Sequence, residues 1–117
     1  MKDWSSLKKR YLRDNLSIRL GNLASNLSRI RSRCQKDNNS DVVKDLFRES
    51  QWFIEWTAAE AEIDVAAELV ELQVQLACWQ YSWDKIWGDE EKRRNVADRA
   101  KNWSDKVLAR SGLLSEN

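Results

Sequence analysis

Residues 57–87 contain neither glycine nor proline and carry two apolar stripes at helical spacing. Val65, Leu69, Leu72, Leu76, Trp79, Trp83 and Ile86 follow the alternating four-and-three rhythm that lines one side of a helix. Ile63, Ala67, Val70, Val74, Ala77 and Tyr81 repeat that rhythm two residues out of phase. At ~100° per residue, the second stripe falls roughly opposite the first. A helix that is apolar on two sides needs cover on both, so this stretch is expected to be the central element. Between the stripes, Asp64, Glu68 and Glu71 confine the charge to one edge, near the helix start. Acids suit that end, where the helix dipole is positive.

The rest of the chain reads as helical cover. Proline is absent, and glycine stands only at 21, 88 and 112. A first helix is expected over about 3–34, with Leu16, Leu20, Leu23, Leu27, Ile30 and Cys34 in heptad spacing. Gly21 inside it costs about 1 kcal/mol relative to alanine and needs a reason. Together with Ser17, Ser25, Ser28 and Ser32 it forms a small-residue stripe, read here as a packing notch. Residues 36–40 form the first loop, after which Ser40 or Asp41 is expected to cap a helix. Thr57-Ala58-Ala59-Glu60 matches a capping box, which would start a new helix. No turn residue interrupts 41–87, however, and the reading leans toward one continuous helix of roughly 70 Å. Gly88 stops it, Asp89 caps a last helix with Val96, Ala100, Trp103 and Val107 on one side, and Gly112 ends that helix. The expected fold is all-α: a single domain over 1–117, an antiparallel bundle of three to four helices around a long central helix (about 41–87), with a break near Thr57 as the alternative.

The net charge of +1 hides a division. Residues 1–36 balance at +8 and residues 49–84 at −8, with eight acids and no base in the latter. Folding the first two helices into an antiparallel hairpin sets Lys8, Lys9, Arg10 and Arg13 among Glu60, Glu62, Asp64 and Glu68. The same register sets Gly21 and Ser25 near Trp52 and Trp56, so the notch could receive the two indoles. Internal pairing thus competes with nucleic acid as the reason for the division, and nucleic-acid binding is not expected.

Two groups of residues are candidate sites. Arg29, Arg31, Arg33, Lys36, Lys44 and Arg48 gather around the first loop and suit an anion or an acidic partner. Trp52, Trp56, Trp79, Trp83 and Trp87 are expected as core aromatics or as an interface. Chemistry is poorly supplied. With no histidine, the commonest general base and metal ligand are missing, and no cofactor is expected. Haem is disfavoured, the sole Met being the initiator. Glu60, Asp64, Glu68 and Glu71 could bind Mg²⁺ as in all-helical nucleotide pyrophosphohydrolases, but the tandem glutamates of that family are missing. No apolar run approaches the ~20 residues of a membrane span, and no signal peptide is visible. Cys34 and Cys78 read as free thiols, so a cytoplasmic setting is expected.

The segment FIEWTAAEAEIDVAAELVELQVQLACWQ, with WSDKVLARSGLL near the end, resembles a group of small uncharacterised helical proteins from cyanobacteria. That resemblance rests on no catalytic motif and implies no activity. The residues themselves favour a non-enzymatic interaction or scaffold module, a homodimer or the binder of a protein partner. An anion- or nucleotide-binding protein comes second, and a Mg²⁺-dependent nucleotide hydrolase third.

Overall fold

A computed structural model describes residues 3–36 and 39–113. Among the described residues six α-helices follow one another: α1 (Trp4–Arg13), α2 (Leu16–Cys34), α3 (Ser40–Thr57), α4 (Ile63–Tyr81), α5 (Trp83–Trp87) and α6 (Glu90–Ser111). A 3-10 turn, Ala58–Glu60, links α3 to α4. No strand occurs among the described residues, and the fold is an all-α bundle.

Both long helices expected from periodicity are broken, and the two breaks meet. The first yields at Asp14, which is extended, and at Asn15, whose side chain accepts from the Ile18 N–H at 3.0 Å. That cap restarts the helix. The second yields after Thr57, and the whole molecule spans only 41 Å, which excludes a continuous 70 Å rod. The expected capping box does not form. Thr57 ends α3 instead of opening α4, and its hydroxyl lies 2.9 Å from the Tyr11 hydroxyl, which donates to the Arg19 carbonyl at 3.0 Å. Arg19, buried, donates from Nε to the Asp14 carbonyl at 2.9 Å and from Nη1 to Glu60 Oε2 at 2.6 Å. One cation and one phenol therefore satisfy backbone and side-chain groups from both corners at once. Burial pushes the Tyr11 hydroxyl up to about 12, the proton being held in a dry site.

The centre of the bundle is α2, not α4. α2 packs most closely against α6, next against α3, while α4 leans chiefly on α3. Close approach to α6 follows from small residues: Ala24 on α2 and Ala97 and Ala100 on α6 are all buried in the core, and Ser104 Oγ donates to the Ala24 carbonyl at 2.8 Å. The α2–α3 hairpin keeps the expected register near its loop, where Asn26 donates to Glu49 at 3.1 Å. Gly21 is a notch, but for a different side chain. A Cβ there would meet Leu113 Cδ1 at 2.7 Å, whereas Trp52 and Trp56 stack on each other 5.6 Å apart. Leu113 reaches α2 because Gly112 ends α6 in the left-handed region (φ 80°) and turns the chain back. Leu114 lies outside the described residues. Asp89 caps α6 through the Glu91 and Lys92 N–H groups, as the sequence implies.

Candidate functional site

The six cations around the first loop divide among different surroundings. Arg29, Arg33 and Lys36 line an open groove of about 330 Å³ on α2, with Ser25, Ser28 and Ser32. Lys44 lies 3.6 Å from Asp84, and Arg48 lines a separate groove beside Trp52. Arg31 is half-buried and is not part of either lining.

Glu60, Asp64 and Glu68 are engaged by arginines. Arg110 donates from Nε and Nη2 to Glu68 at 3.0 and 2.8 Å, and from Nη1 to Asp64 at 3.1 Å. The guanidinium holds the Glu68 carboxyl below its ordinary range and is itself raised by the pairing. Arg19 lowers Glu60 in the same way. Lys8, Lys9, Arg10 and Arg13, expected as the partners of these acids, stay exposed on α1 because the break at Asp14 turns that helix toward α3. Arg110 was not singled out from sequence; its place in the last turn of α6 is the signal that could have found it. Among the described residues no cluster of three or more Asp, Glu, Cys or His could hold a metal ion.

Of the five candidate tryptophans, Trp79 and Trp83 are core. Trp83 meets Phe47 edge to face at 5.0 Å, and its indole N–H donates to the Ser40 carbonyl and hydroxyl at 3.2 and 3.1 Å. Trp87 packs on Trp83 at 5.4 Å and carries the Arg93 guanidinium over its ring at 5.2 Å. Trp56 is half-buried against Tyr11. Trp52 is the open one. It lines a shallow groove of about 350 Å³ between α3 and α4, with Arg48, Gln51, Glu55, Gln73 and Gln80. A wider open cleft of about 730 Å³ lies beside α6, where buried Trp79, Ile86 and Val96 are flanked by Asp89, Glu91, Lys92, Arg94 and Asp98. Charges of both signs alternate there and do not select a ligand sign.

Beside the Trp52 groove lies the second apolar stripe. Its inner counterpart is sealed: Leu69, Leu72, Leu76, Trp79, Trp83 and Ile86 are all buried. Among the described residues the outer stripe has no cover. Ile63 is 88 % exposed, Val70 56 %, Val74 59 % and Tyr81 93 %, with Ala67 and Ala77 also open. The expectation that both stripes are covered fails within the single chain, because α3 and α6 pack on the inner half of α4 and no described helix remains for the outer half. One edge of the bare stripe carries neutral Gln73 and Gln80, which bind Gln51 on α3. The other carries Asp64, Glu71 and the free thiol of Cys78.

The chain matches no protein-family model, no curated protein and no solved structure. What fold and surface together define is a helical bundle with one apolar helix face left open. No described helix is long and apolar enough to cross a membrane.

Proposed function

We propose that this protein is a non-enzymatic helical module that associates with itself through the outer face of α4. The bare stripe carries the reading. Ile63, Val70, Val74 and Tyr81 all stay more than half exposed along one helix face, a contiguous apolar line of the kind that marks a contact surface. Trp52, Gln73 and Gln80 line the adjoining groove and extend that surface toward α3. Trp52 and Tyr81 are residue types that anchor such contacts. Three of the four carboxylates that could have served chemistry, Glu60, Asp64 and Glu68, are bound to Arg19 and Arg110. Two free cysteines suit a reducing, cytoplasmic setting.

Sedimentation equilibrium on the wild type and on V70E/V74E tests the reading. The wild type is expected to associate, and the double variant to be a monomer with an unchanged helical spectrum. Equal masses for the two would refute it.

The groove on α2 supports a second reading, anion docking by Arg29, Arg33 and Lys36 beside three serine hydroxyls. It requires thermal stabilisation by inorganic phosphate that R33E removes; the absence of any shift rules it out.

A further inference from the structure

Resting on the second reading, anion docking on α2, we infer that the ligand is the phosphate backbone of a nucleic-acid duplex, held without its sequence being read. Internal pairing was the ground for expecting no nucleic acid, and the fold does not supply that pairing. Among the described residues before Asp37, Arg19 is the one cation in an ion pair. Arg29, Arg33 and Lys36 are exposed, and no carboxylate is among the described residues that line their groove. Arg29 is also steadied from below. Its Nη1 donates to Asn26 Oδ1 at 3.5 Å, and buried Asn26 donates in turn to Glu49 on α3 at 3.1 Å.

The three cations form a row. They stand at i, i+4 and i+7 on successive turns of α2, about 6 and 4.5 Å apart along its axis. A single phosphate, five heavy atoms, leaves most of a 330 Å³ groove empty and cannot span the row. A strand whose phosphates recur at about one helical turn meets all three side chains. Ser25, Ser28 and Ser32 supply hydroxyl donors beside them, the kind of contact that positions a protein on a backbone. Two features favour a duplex. No aromatic or apolar side chain is among the described lining residues, so an unpaired base has nothing to stack on. A duplex also offers the denser charge, one phosphate per ~1.7 Å of its axis.

The test is fluorescence anisotropy of a short labelled DNA duplex with the full chain, over a series of KCl concentrations. Three phosphate contacts predict a slope of log affinity against log salt of about −2.7 per chain engaged. R33Q is expected to bind more weakly and to reduce that slope by about 1. R10Q, which removes an exposed charge from α1 instead, is expected to bind like the wild type. An equal loss in R10Q would place the contact in the general field of the chain and overturn the inference. Tighter binding of the unpaired strand, or of phosphatidylserine vesicles, would overturn it in favour of that ligand. No duplex binding at low salt, with inorganic phosphate still stabilising the fold, would overturn it and leave anion docking standing. No response to either removes both.

Discussion

The inner and outer stripes of α4 share one rhythm, yet Leu69, Leu72 and Leu76 are sealed while Val70, Val74 and Tyr81 face solvent. The two differ in bulk: leucine and tryptophan dominate the inside, valine and alanine the middle of the outside, with Ile63 and Tyr81 at its two ends. They differ also in company. The inner line continues into α5 through Trp83 and Ile86 and lies against α3 and α6, whereas the outer line borders only a polar groove and an acidic edge. Periodicity therefore identifies a seam without saying which molecule fills it. The larger residues went to the seam the chain can close alone, and the smaller ones to the seam it leaves open.

Truncation on each side of α4 separates the two most sharply. Leu72→Ala, at a fully buried site, is expected to cost about 3 kcal/mol in urea unfolding, through lost transfer energy and a cavity. Val74→Ala is expected to leave the unfolding of the dilute monomer within about 0.5 kcal/mol, and to weaken association instead. Equal losses in the two variants would break the contrast.

The corner that fixes where α4 begins comes next. Arg19→Ala removes a buried side chain that bonds the Asp14 carbonyl and Glu60, and is expected to cost about 2 kcal/mol by the same measurement. Were α4 positioned by its own propensity alone, the variant would unfold like the wild type.

Alkaline pH probes the sealed side. Burial raises Tyr11 from 10.0 and Cys34 from 9.0, each to about 12. Both are neutral when protonated, and the folded chain holds those protons after the unfolded chain has released them. The stability they contribute is complete below about pH 9 and is lost as pH climbs toward 12. Thermal unfolding is expected to weaken over that window, and Y11F and C34A each to flatten the decline.

The smallest effect lies at the edge of the open seam. Glu71→Gln removes a charge that borders the open stripe and is expected to tighten association about twofold. No change in affinity would argue that this edge lies outside the contact.

Sequence alone supplied the helical class, both stripes, the cap at Asp89, the stop at Gly112 and the notch at Gly21. It missed the break at Asp14–Asn15 and offered the one near Thr57 only as the alternative, because apolar spacing runs unbroken across both. Asn15 is a capping residue set inside a heptad pattern, and Thr57 looks like the start of a helix. What decides both is a tertiary node of Tyr11, Arg19, Thr57 and Glu60, in which each member comes from a different local segment. The same distance hid Arg110 behind the more numerous cations of α1, and Leu113 behind the indoles. The Trp52 groove was half visible: its ring was marked, but only α4 packing beside it shows that it borders the open stripe.

The central claim is that the outer face of α4 joins two copies of the chain, and the mass of the particle in solution tests it most directly. Sedimentation equilibrium should return twice the 13.8 kDa of the chain for the wild type and 13.8 kDa for V70E/V74E. A wild-type protein that stays at the mass of one chain at every concentration would contradict the account.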